Sequence, residues 1–450
     1  MRRRRLVLRA IGLAALASGL GGGPGLTETP APRLRYADDL ADPIVASIYS
    51  LPSAWVGPEE ARAFVTAVRE SAPDRDLVVL ADASTSRSLA SVAEPLRLHL
   101  ILEETGSFSP WPRDPFSVVR GPDGGVVLHD RPGRQRGREA DAGMAEAVAH
   151  GISSDLAHAW GGVRRQTAPF PFHNGHVLLA ADAAWVSLHS LEPRILEILD
   201  LERVPAETFA SAAGIDRYLD AADRAIDDFA DLYGKPVRLV HPLPRSGPLA
   251  ERVETMRVLG GGGAFDLDTL VTFLPGEGGA PSTLVGDPAA GLRLLTGLAA
   301  LDWETFATTY GLDPSAGRPP EELVAYQGGD RATWLGRFLD LLARHLEAEG
   351  LAVRRLPLLL VPTGLLAHGD RFGHPDFVLG WNNVVIEPAG DRPVARGFAS
   401  GLPTGDRKAA GAYEAAGVRL ELLPPLVASV TSNGGYRCAS NHVRLAAGGV

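Results

Sequence analysis

Apolar positions along this chain fall into two rhythms. Short apolar runs bounded by turn residues occur at Ile44–Tyr49, Leu77–Leu80, Phe116–Val119, Val126–Leu128, Val177–Leu179, Trp185–Leu188, Leu270–Phe273, Val353–Leu360, Val384–Ile386 and Leu420–Leu423, and these read as strands. Between them, Pro58–Glu70, Met144–His150, Pro205–Leu232, Ala289–Ala299, Arg331–Glu349 and Asp406–Ala416 are rich in Ala and Leu and read as helices. The alternation predicts an α/β fold. Three times two strands are separated by a turn: at Pro122-Asp123-Gly124-Gly125, near Asp182, and near Gly276-Glu277-Gly278-Gly279. A helix and another strand follow each pair. The copies share no sequence identity, so the repeat is one of structure. The stretches 205–232 and 302–325 interrupt it as helical insertions; a lid and an oligomer contact are the roles that suit the first.

The formal charge of -10 argues against a general nucleic-acid binder and favours a cationic partner. The chain opens with Arg2, Arg3, Arg4 and Arg5, then an apolar run from Ala10 to Leu20 and small residues, the layout of an export signal over 1–22. A disordered basic tail is the alternative. The run is too short to span a bilayer, and no other segment reads as transmembrane. Residues 23–35 are rich in Gly and Pro and read as a linker, leaving 36–450 as a single domain.

Cys438 is the only cysteine, so it forms no internal disulfide. It is either an inert core residue or a thiol kept for reactivity, and Arg437 beside it is placed to favour thiolate. Gly434 and Gly435 let the backbone turn or approach another group closely. Arg113-Asp114 lies between Pro112 and Pro115, whose fixed backbone aims the carboxylate; this suits a planar cation, or else a salt bridge in a turn. His173 and His176 offer a base or metal ligands, or sit in a surface loop. In a strand, Asp266 and Asp268 would face the same side behind a glycine run, where two carboxylates attract a cation or share a proton. Asn382 and Asn383 open a strand or form a turn.

Taken in order, these segments resemble the guanidino-modifying superfamily, which includes the arginine deiminases and the catalytic region of the peptidylarginine deiminases. Arg113-Asp114-Pro115-Phe116 resembles that family's guanidinium-gripping segment, and Arg134-Gln135-Arg136-Gly137-Arg138-Glu139 an Arg-rich stretch following it. Asn382-Asn383 and Gly434–Asn441 resemble the asparagine-bearing strand and the terminal segment with the nucleophilic cysteine. The resemblance covers roughly residues 100–450. It implies a five-bladed, pseudo-symmetric α/β propeller of ββαβ modules, with no metal or organic cofactor. It also implies cysteine-dependent hydrolysis of a guanidinium group in a small guanidino compound or an arginine-containing peptide or protein.

Two segments depart from the family pattern. Where the family has His-x-Asp, this chain has Asp266-Leu267-Asp268. Where the family has Glu-Gly-Gly-Asp, it has His173-Asn174-Gly175-His176. The exchange suggests swapped roles: His173 as proton-transfer group and Asp266 as guanidinium ligand. By resemblance, Cys438, His173 and Asp266 are the expected catalytic residues. Asp114, Asp268, Arg113, His176 and Asn383 are the expected substrate-binding set. Two other readings stay open: a non-catalytic guanidinium binder on the same fold, and a metal-dependent hydrolase using His173, His176, Asp266 and Asp268. The choice of substrate, and of hydrolysis over amidino transfer, is also open.

Overall fold

The computed structural model describes residues 34–445 except 104–107, 136, 181, 263–265, 277–281 and 367–373. The expected export segment and nearly all of the linker lie outside the described residues, as do Gly263 and most of the turn at 276–279.

Strand β1 (Ile44–Ser50) runs parallel to β2 (Asp76–Ala81), and β2 parallel to β3 (Leu98–Leu102). Strands β4 (Phe116–Arg120) and β5 (Val126–Asp130) pair antiparallel, and β6 (Val163–Thr167) adds in parallel to β5. The same pattern joins β7 (Val177–Leu179), β8 (Ala184–Val186) and β9 (Val237–Leu239), then β10 (Val271–Leu274), β11 (Ser282–Asp287) and β12 (Ala352–Pro357). A separate antiparallel hairpin of β13 (Leu359–Pro362) and β14 (Asp376–Leu379) follows. Strands β15 (Val385–Glu387), β16 (Val394–Phe398) and β17 (Arg419–Leu423) repeat the pattern, and β18 (Ser440–Arg444) returns to lie antiparallel to β1. Counting β18–β1–β2, the antiparallel-then-parallel unit occurs five times among the described residues. Each parallel step needs a crossover, and helices supply it: Pro58–Ser71, Met144–Gly151, Leu188–Leu199, Pro288–Thr296 and Pro403–Glu414 lie on these connections. The sheets are small and none closes on itself.

The first helical insertion adds one face to the core. Helix Ala212–Tyr233 buries Ile215, Tyr218, Leu219, Ala222, Phe229 and Tyr233, one face at helical spacing, within the largest apolar cluster. Ser211 caps its start by accepting from the Gly214 N–H, and Gly234 ends it at φ 65.

Two strand expectations change. The run Val353–Leu360 is not one strand: β12 ends at Pro357, the Leu358 N–H turns to the Asp287 carbonyl, and Leu359 onward pairs with a different strand. Proline has no N–H to continue a ladder. Asp266 and Asp268 do not lie in a strand either. Asp266 precedes, and Asp268 belongs to, a short helical turn over Leu267–Leu270 that leads into β10. From Leu34 onward the described residues pack as one compact unit. Among them, no helix is long and apolar enough to cross a membrane.

Candidate active site

Five separate segments deliver side chains to one buried cluster. The first is the turn Trp111–Pro115 ahead of β4. Its Asp114 is buried, and Arg138 Nη1 donates to Asp114 Oδ2 at 2.6 Å while its Nε donates to Asp141 at 2.8 Å. The Arg138 guanidinium lies over the Trp111 ring at 4.5 Å, and the Trp111 indole N–H donates to Ser429. Both surroundings fix the Asp114 carboxylate, whose Oδ1 accepts no hydrogen bond among the described residues.

The second segment is tied to the first through Asn174, which donates to the Arg113 carbonyl at 2.7 Å and accepts from Ser117. His173 precedes the short helical turn Asn174–His176, and its Nδ1 accepts the Gly175 N–H. The third segment supplies Asp266. His176 Nε2 lies 3.1 Å and His173 Nδ1 3.8 Å from Asp266 Oδ1; His173 Nε2 lies 4.0 Å from Asp114. Gly175 is needed for this approach, because a Cβ there would stand 2.7 Å from the Asp266 carboxylate.

The remaining segments meet at Asn383. Its Oδ1 accepts the backbone N–H groups of Arg437 at 2.7 Å and Cys438 at 3.2 Å. Its Nδ2 donates to Asp268 at 2.8 Å and to the Cys438 sulfur at 3.1 Å. Asn383 therefore clamps the cysteine turn against Asp268. The sharp bend before the cysteine belongs to Asn433, with φ 64, and the two glycines serve close approach. A Cβ on Gly434 would strike the Trp111 indole, and one on Gly435 would lie 2.4 Å from Asn383 Cβ.

The charges fall into two layers. Nearest the sulfur are carboxylates: Asp268 lies 3.7 Å from it, and Asp114, Asp266 and Cys438 each offer a ligand atom within 4.8 Å of the others. Burial and the charges of Asp268, Asp266 and Asp114 push the Cys438 thiol well up from its ordinary range. The expectation that Arg437 favours thiolate is thus outweighed. Its guanidinium is engaged by carboxylates, donating to Asp268 at 2.7 Å and to Asp39 at 3.0 Å. Burial and the Asp266 charge push Asp268 up to about 6 in spite of Arg437. Burial also opposes the charge on Asp266, but His173, His176 and Arg138 outweigh it and hold that carboxyl well below the usual range. Behind these lies the second layer, where Arg113 pairs with Asp39 at 3.2 Å and Arg437 joins them.

All eight residues singled out in the sequence are accounted for. Cys438, Asp114, Asp266, Asp268, His173, His176 and Asn383 converge. The side chain of Arg113 instead pairs behind them with Asp39. Asp39 itself and Asp141 carried no sequence signal, since isolated aspartates in a polar stretch look alike. Arg138 lay in the Arg-rich stretch, but its partner could not be read from it. His173, His176 and Asp266 have donor atoms within 4.8 Å of one another, as a metal site requires; Asp268, the fourth ligand of the metal-hydrolase reading, is not among them.

No family model matches this chain, and no curated protein does. Solved structures do. The agmatine deiminase of C. jejuni aligns over 92% of this chain and 96% of its own, with a TM-score of 0.52 at 10% identity. The agmatine deiminase of Enterococcus faecalis aligns over 91% and 95%, with a TM-score of 0.50 at 11% identity. A chain assigned only provisionally as a peptidyl-arginine deiminase aligns over 93% and 100%, with a TM-score of 0.51 at 11% identity. At such identities the likeness establishes a shared α/β fold along nearly the whole length.

Proposed function

We propose that this protein hydrolyses a guanidinium group, in a small guanidino compound or an arginine-containing peptide, to a ureido product through a covalent adduct on Cys438. The observation that carries the reading is a buried sulfur faced by three carboxylates, Asp114, Asp266 and Asp268. That arrangement disfavours a thiolate alone. A planar cation entering the site cancels the carboxylate charge and makes the thiolate accessible, so the site matches a guanidinium and a thiolate together. The five repeated strand units, set round a common axis as a propeller, are part of the same proposal.

In this mechanism Asp114, through its free Oδ1, and Asp266 hold the guanidinium nitrogens, while Asp268 and Asn383 fix the cysteine. Arg113 supports the carboxylates from behind, and His176 orients Asp266. Sulfur attacks the central carbon, forming the S–C bond. The thiol proton passes through His173 to the departing nitrogen, which leaves as ammonia or an amine. Water then attacks the carbon, the S–C bond breaks, the thiol is restored, and one proton is released with the ureido product. Splitting one displacement into two steps and holding the cation in register supply the rate enhancement. The basic, briefly apolar chain start supports action after export.

The test is ammonia and ureido-product formation from arginine, methylarginines, agmatine and an arginine peptide, with Cys438→Ala alongside. Product from wild type that vanishes in the variant supports the reading. Absence of product from both, with retained ligand binding, supports the binder reading, which the elevated thiol favours.

A further inference from the structure

The proton-transfer residue and its neighbours have a second chemistry. A tetrahedral ion with bonds of roughly 2.0–2.1 Å to nitrogen and oxygen holds its ligand atoms roughly 3.3 Å apart. His176 Nε2 and His173 Nδ1 stand 3.1 and 3.8 Å from Asp266 Oδ1, on either side of that spacing. The cluster is also backed as metal sites are. The other ring nitrogen of His176 faces the Ser187 hydroxyl at 3.4 Å, which leaves Nε2 aimed at the carboxylate. The competing set of Asp114, Asp266 and Cys438 would gather three anions, one thiolate and two carboxylates, in one buried place with no neutral ligand among them.

We propose that His173, His176 and Asp266 bind one divalent ion of the zinc type, and that this ion reversibly shuts off the reaction by withdrawing His173 and Asp266 from it. The binding half stands on geometry alone; the inhibitory half rests on the hydrolase reading. At His173 the ion displaces the hydrogen bond from the Gly175 N–H, a small change for a ring that is partly exposed.

Chelator-stripped full-length protein is titrated with zinc against a chromophoric chelator, as wild type, Cys438→Ala and His173→Ala. One ion per chain in wild type and Cys438→Ala is expected, with binding weakened at least about tenfold in His173→Ala. Turnover of the wild type should fall in step with occupancy and return with added chelator. Absence of binding overturns the proposal. So does binding lost in Cys438→Ala but kept in His173→Ala, or full occupancy with undiminished turnover. Binding by a protein that turns over no guanidino compound even when stripped supports the metal site and counts against the hydrolase reading only.

Discussion

Replacing Asn383 by alanine removes the clamp on the cysteine turn. The substitution leaves the backbone N–H groups of Arg437 and Cys438 without their acceptor, and Oδ1 of the fully buried Asp268 with only the weak Cys438 thiol as donor. An unsatisfied buried polar group costs about 1–3 kcal/mol, and water entering the vacated amide space recovers part of it, so a net loss of about 3 kcal/mol is expected. Unfolding entropy is about 2.1 cal/mol/K per residue, so for roughly 400 ordered residues the melting temperature should fall by about 4 °C. The sulfur also loses its donor at 3.1 Å. Loss of one positioned donor to a developing charge lowers turnover by about 100-fold or more. Asn382→Ala is the control. Asn382 is also buried, but it bonds to Leu270 and Thr272. It should lower the melting temperature in calorimetry and spare most of the turnover. Turnover of Asn383→Ala within about threefold of wild type would refute the clamp, whatever the melting temperature.

Two further outcomes follow from the same cluster. Asp268 contributes the largest of the charges that raise the Cys438 thiol, so Asp268→Asn should move the pH profile of alkylation by iodoacetamide to lower pH. For every pH unit by which the midpoint falls, the thiol becomes about tenfold more reactive below its pKa, even as turnover is lost; an unmoved or higher midpoint contradicts the charge argument. Gly435→Ala drives a methyl group into Asn383 and should reduce stability and turnover together. Gly411→Ala, in the open on helix Pro403–Glu414, should be neutral or stabilising by up to about 1 kcal/mol; equal melting curves for the two would sink the close-approach reading.

Where a signal was local, the sequence showed it. Asp114 stood out because two prolines fix its backbone, Cys438 because it is unique, and the strand pairs because turn residues punctuate them. The order of the motifs along the chain brought His173 and Asp266 into one argument across more than ninety positions. Contacts that no periodicity encodes stayed hidden. Nothing near Asp39 announces that it will pair with Arg113 and Arg437, and nothing near Trp111 that it will receive Arg138 on its face and Gly434 against its edge. The Asp266–Asp268 pair misled in a specific way. Alternation in a strand would have set both on one face; instead a helical turn formed, with Asp266 extended ahead of it and Asp268 within it, and both still reach the cluster.

Strand β18 follows directly on the cysteine turn and pairs with β1, so that Ser47 and His442 are hydrogen-bonded across 395 positions. This ties the assembly of the surroundings of Cys438 to the timing of translation. Domains begin to fold from the N-terminus while the ribosome is still adding residues. Four of the five strand units can form from nascent chain already made, but the one beside Cys438 waits for the final strand to emerge. A stalled or clipped product ending before β18 would leave the edge of β1 unpaired and the cysteine turn without the strand that follows it.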